Sequence, residues 1–186
     1  GTNDGTITAC YATSDVSGNS QVGGLVGANS SGTITSCYAT GTVGGADWVG
    51  GLVGYNNKNA KIAACYARGA VSGTTHVGGL CGSCVVASGI SGCFWDTQTS
   101  GQPTSAGGEG KTTAEMKTLT TFVWAGWDFA TAWIMPCEDY PRLLWEKKTY
   151  SGGNGTGAYP YQIRCVADWQ LLINRPGDWD KSFILT

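Results

Sequence analysis

Four cysteines, Cys10, Cys37, Cys65 and Cys93, stand 27, 28 and 28 residues apart, and the residues around them fall into one register. Three residues before each Cys is an Ile (Ile7, Ile34, Ile62, Ile90), and directly after it an aromatic (Tyr11, Tyr38, Tyr66, Phe94). Further on come Val22-Gly-Gly-Leu-Val-Gly27, Val49-Gly-Gly-Leu-Val-Gly54 and Val77-Gly-Gly-Leu-Cys-Gly82. A fixed period of this length marks a solenoid or array, in which each unit buries its apolar face only by stacking on its neighbours.

The unit is built of strands. Thr6-Ile-Thr-Ala-Cys-Tyr-Ala-Thr13 is rich in Thr, Ile and Tyr, and Gly and Asn bound such segments. Gly supplies 30 of the 186 residues and charged residues only 13%, a balance that favours turns and strands over long helices. The expected fold is mainly β: a right-handed parallel β-solenoid of three to four 27–28-residue coils, its handedness taken from the usual preference of parallel crossovers. Like residues then stack about 4.8 Å apart as ladders of Ile, Cys, aromatic and Leu. The recurrent glycines are expected to supply positive φ at corners and close backbone approach. Ile and Cys three apart face opposite sides of a straight strand, so a bulge or corner is expected between them. Asn29 and Asn56 are equivalent and predict a short amide ladder, with Cys84 at the third position.

These residues resemble a known repeat: the GGLVG cores with the preceding ITxCYAT strands are similar to GLUG-motif repeats, over residues 1 to about 93. The resemblance implies a β-solenoid stalk from a bacterial surface protein, adhesin or secreted peptidase rather than a catalytic centre. Extracellular or cell-surface localisation, in a prokaryote, is the corresponding expectation.

After Cys93 the repeat ends, dividing the chain into a solenoid over 1–101, an aromatic cap over 102–146, a Gly-rich flexible linker over 147–157 and a joining segment over 158–186. Thr112 or Thr113, with Glu115 in the first turn, predicts a short helix. Trp124, Trp127, Phe129, Trp133, Tyr140 and Trp145 are expected to bury the last coil. Residues 158–186, with a helical stretch from Val166 to Ile173, resemble the opening cap that precedes such a solenoid, yet come last. The sequence also opens at Gly1, inside a repeat, and therefore reads as a processed product or an excerpt. Head-to-tail joining follows as an expectation, with Tyr161, Ile163, Trp169, Trp179, Phe183 and Leu185 meeting Ile7, Cys10 and Tyr11 of the next copy or adjacent module. The alternative is an adhesin stalk fragment or glycan-binding module, with Trp48 or cap aromatics facing a surface glycan.

Chemistry is sparse in this sequence. A net charge of -2 with no Lys/Arg cluster gives no field for nucleic acid, and no apolar run is long enough to insert in a membrane. Ser105-Ala-Gly-Gly-Glu-Gly-Lys-Thr112 ends like a phosphate-binding loop, but has Ser where the first Gly belongs and no preceding apolar strand. His76 is the sole histidine, which leaves a Ser–His–Asp triad or multi-histidine metal site incomplete. Asp4, Asp15 and Asp47 lie at non-equivalent repeat positions and make no acid ladder. The chain is expected to be no enzyme, and no cofactor or metal is expected. Eight cysteines leave 105 full pairings open; Cys81, Cys84, Cys137 and Cys165 are the candidate disulfide partners, and Asn29 and Asn154 the candidate glycosylation acceptors.

Overall fold

A computed structural model describes residues 1–85, 89–146 and 149–186. The chain is a parallel β-solenoid of about three turns, followed by short helices and two small two-stranded sheets. Each coil is made of five short strands. In the second coil these are Thr33–Thr35, Tyr38–Ala39, Val43–Gly44, Asp47–Gly50 and Val53–Asn56. Every strand pairs in parallel with its counterparts one coil away, in the register of the repeat: Ile7 with Ile34, Ile34 with Ile62, and Ile62 with Ile90.

The corner foreseen between Ile and Cys is one residue in the left-handed region. Ala9, Ser36, Ala64 and Gly92, at φ 51°, 52°, 49° and 54°, stand immediately before the four cysteines. The reversal turns Ile34, Cys37, Ile62 and Cys65 into one core with Leu52 and Leu80. A second corner recurs at Gln21, Trp48 and His76, φ 53°, 52° and 49°. The glycines of the GGLVG blocks are therefore not the corner residues expected from sequence. They serve close approach instead: a Cβ on Gly51 would lie 2.2 Å from the Gly79 carbonyl oxygen.

The amide ladder forms and is longer than the sequence indicated. Asn3 Nδ2 donates to Asn29 Oδ1 at 2.9 Å, and Asn29 Nδ2 donates to Asn56 Oδ1 at 2.9 Å. Asn56 Nδ2 then meets Cys84 Sγ at 3.7 Å. Three buried amides are satisfied in a row, which is the condition for placing polar groups in a core.

One step past each inward cysteine, the aromatic faces outward. Tyr11, Tyr38 and Tyr66 stack with ring centroids 5.2 and 5.0 Å apart. Residues 112–146 lie against this ladder, so the aromatic segment covers the flank of the solenoid along several coils, the last one included through Phe94 and Gly92. Helices α1 (Thr97–Ser100), α2 (Thr113–Met116) and α3 (Leu119–Trp124) lead into it. Thr112 and Glu115 form the capping box of α2. Phe122, Trp127, Trp133, Tyr140 and Leu143 bury themselves against Tyr38, Tyr66 and Phe94. Trp145 reaches the first coil, stacking on Tyr11 at 5.7 Å and donating from Nε1 to the Ala9 carbonyl at 3.2 Å.

The distal end of the solenoid is closed by other residues. Trp95 takes the position of Ala67 and Ala39 and fills the interior beside Gly79. Ser105 Oγ accepts from the Cys81 amide at 2.9 Å, and Glu109–Lys111 pairs in parallel with Phe94–Asp96. The segment reminiscent of a phosphate loop thus ends in a short strand paired to the solenoid.

Candidate functional site

The two ends of the solenoid differ. At the distal end, Gly79 and Ala106 donate backbone hydrogen bonds to Thr104 and Cys81 and extend the stack. At the proximal end, the strands Thr6–Thr8, Tyr11–Ala12, Val16–Ser17 and Ser20–Gly23 each have a strand neighbour on one side only, as do Val71–Ser72, Thr75–Gly78, Cys81–Cys84 and Ile90–Ser91 at the distal end, where residues 102–106 bond to Val71, Gly79 and Cys81. Unpaired strand edges are templates for another strand. Ile7 is half-buried on the rim of the core, Cys10 is exposed with its thiol donating to the Thr8 carbonyl at 3.2 Å, and Tyr11 is partly covered by Trp145.

Residues 149–186 form a separate small unit. Tyr161–Ile163 pairs in parallel with Phe183–Leu185, with α4 (Val166–Ile173) between them. Its core consists of Tyr150, Ile163 and Leu171, with Tyr161, Leu172 and Phe183 packed against them. The glycine-rich stretch expected to be a flexible linker is part of this unit from Thr149 onward, while 147 and 148 lie outside the described residues. Tyr150 packs on Tyr161 at 4.4 Å and donates to Asp178 at 3.0 Å; burial, then this acceptor, push its phenol up to about 12. The Asp168 carboxylate accepts from Ser151 N, Ser151 Oγ and Arg164 N at 2.9, 2.6 and 2.9 Å.

This unit divides the residues proposed for joining. Ile163 is 3% exposed and belongs to the unit's own core, so it is no contact residue. Tyr161 and Phe183 are half-buried beside it. Trp169, Trp179 and Leu185 are exposed, Trp179 by 66%. Trp169, Leu172, Ile173, Trp179 and Phe183 line an apolar hollow of about 380 Å³. Ile173 and Ile184 were not singled out from sequence, although the apolar runs ending at Ile173 and spanning Phe183–Leu185 were signals for both.

Cys137 and Cys165 are disulfide-bonded, with Cα atoms 5.7 Å apart, and tie the unit to the aromatic segment. Cys81 and Cys84 are not joined: Cys81 is buried in the core and donates to the Ser83 carbonyl at 3.2 Å, while Cys84 caps the asparagine ladder. Among the described residues, the one cluster with metal-ligand spacing is Cys137, Cys165 and Asp168. The disulfide and the three hydrogen bonds to Asp168 occupy those ligand atoms. Asn29 is 0% exposed inside the amide ladder and is excluded as a glycosylation acceptor. Asn154 is exposed, and its Oδ1 accepts from Thr156 Oγ1 at 2.9 Å. His76 is exposed on a strand corner, with Nδ1 2.7 Å from Asp47 Oδ1. Trp48 is half-buried and rests on Tyr55 at 5.2 Å.

Residues 18–44 match the GLUG motif. The chain carries a GLUG repeat. The register places equivalent coils before and after this match, so the GLUG unit is one turn of the solenoid. A segment of 53 residues is 40% identical to a protein of Evansella cellulosilytica provisionally named a Gly-rich membrane protein, covering 28% of this chain and 6% of that one. A solved structure from Bacteroides ovatus, provisionally described as an immunoglobulin A1 protease, aligns with a TM-score of 0.52 and 24% identity over 76% of this chain. The alignment spans 48% of that protein's chain, and the likeness is one of fold. Among the described residues, no helix is long and apolar enough to cross a membrane.

Proposed function

We propose that this GLUG module is a non-enzymatic structural element of a prokaryotic extracellular or cell-surface assembly, joined head to tail. The carrying observation is a pair of unlike surfaces: strand edges of the first coil that no described strand covers, and, on the C-terminal unit, a small parallel sheet with exposed apolar side chains. The C-terminal unit of one copy, or of an adjacent module in a longer protein, seats on the first coil of the next. The two surfaces differ, so the contact is heterologous and propagates as a filament.

The carboxylates support a structural reading. Asp15 accepts from the Thr42 amide at 2.7 Å, Asp128 from the Ala130 amide at 2.7 Å, and Glu146 from Tyr38 at 2.7 Å. Each holds a turn or a packing contact in place. The surface location rests on the membrane-protein name of the Evansella relative and on a disulfide, a bond that persists in oxidising compartments.

Sedimentation velocity over a range of protein concentrations tests the joining. The wild type is expected to form a growing series of oligomers, and a Trp169→Ala/Trp179→Ala variant to remain monomeric with its thermal transition retained. A wild type that stays monomeric throughout would remove self-assembly from this reading.

A further inference from the structure

Two hollows, of about 590 and 320 Å³, lie near the distal end of the solenoid and share Phe94, Glu109 and Ala125 among their lining residues. They form one trough. Both volumes are of the order found in sites for small ligands. The smaller half is lined by Glu109, Lys111, Glu115, Thr120, Thr121 and Trp124.

Trp124 is the informative residue. It is 86% exposed, whereas Phe122, two residues earlier on α3, is 0% exposed and packs on Trp127 at 4.6 Å. The aromatic segment spends its other large rings on the Tyr ladder; Trp124 contributes little to that packing. An indole held at the rim of a polar trough offers a flat apolar face beside hydrogen-bonding groups. Lys111 Nζ lies 2.6 Å from Glu109 Oε1, and Glu115 Oε2 accepts from Thr112 Oγ1 at 2.7 Å, so the trough's charged groups are held in place. Two carboxylates against one ammonium leave it net negative, which opposes polyanionic ligands.

We infer that this trough binds a neutral β-1,4-linked pyranose chain, one sugar ring laying its C–H face on Trp124 while its hydroxyls meet Glu109, Lys111 and Glu115. Such rings carry an apolar face and a hydroxylated edge, matching the indole and the ion pair respectively. A trough extending past Glu109 toward Ile90 and Ser105 suits a chain rather than a monosaccharide. The site is independent of head-to-tail joining, which uses other residues.

The test is calorimetric titration of the full chain with cellohexaose and with N-acetylated chitohexaose. At least one is expected to bind saturably at millimolar concentration or below. Trp124→Ala is expected to weaken that binding about tenfold or more, equivalent to about 1.4 kcal/mol. Its thermal transition should be unchanged, because the indole is exposed, and Glu109→Gln should weaken binding without abolishing it. Absence of binding by both hexasaccharides would overturn the inference. So would equal affinity in the Trp124→Ala variant, or protection of Trp124 by a neighbouring copy in assembled protein.

Discussion

At Gly51 an added Cβ would lie 2.2 Å from the Gly79 carbonyl oxygen and 2.9 Å from Ala67 Cβ, both fixed by the stack. Gly44, seven residues away, offers the contrast: its Cβ would meet only Ser72 Oγ at 3.5 Å. Gly51→Ala is expected to cost about 1–3 kcal/mol in urea unfolding, as overpacking does. Gly44→Ala should be neutral or stabilising by up to about 1 kcal/mol through the unfolded chain. Equal effects of the two would contradict the packing account. Asp96 carries a pH dependence. Burial pushes its carboxyl up, but hydrogen bonds from Tyr140, Thr113, Thr99 and Gln98 outweigh burial and hold it below the usual carboxylate range. Its stabilising contribution is complete above the unfolded value of about 3.9 and is lost as pH falls through the lower folded value. Thermal unfolding from pH 7 to pH 2 should therefore show a steeper acid loss in the wild type than in Asp96→Asn.

Among the elements, the C-terminal unit holds to the rest through the Cys137–Cys165 bond and through a hydrogen bond from Gln170 Nε2 to the Phe129 carbonyl. With a separation of 28 residues, chain entropy assigns the disulfide about 3.5 kcal/mol. Reduction should raise amide exchange across 158–186 while leaving the GLUG coils protected, which mass spectrometry resolves segment by segment. Uniform loosening of the coils would contradict that division. The coils were legible in the sequence because stacking forces equivalent residues into ladders, and Ile, Cys, Tyr and Asn all recur at the period. The left-handed residue before each cysteine was legible only as a conflict between spacing and strand geometry, since Ala9, Ser36 and Ala64 carry no glycine signal. The course of the aromatic segment was not legible. Its path depends on pairings such as Tyr66 with Pro141 and Tyr38 with Glu146, more than 70 residues apart in sequence, which no local pattern encodes. For the same reason the sequence offered Trp48, which leans on Tyr55, or the cap aromatics collectively, and did not separate Trp124 from the buried rings of the cap.

For the whole molecule, the central claim is that unlike surfaces join. The distal end is filled by Trp95 and residues 104–111, the proximal coil has unpaired edges, and the C-terminal unit exposes Trp169, Trp179, Ile184 and Leu185. Joining would cover apolar side chains on one partner and strand edges on the other. Electron cryomicroscopy of the purified protein at high concentration tests this directly. Filaments of constant axial repeat are expected, with residues 158–186 of one subunit against Ile7, Cys10 and Tyr11 of the next. Single particles with both surfaces open to solvent, or filaments built through other faces, would contradict it.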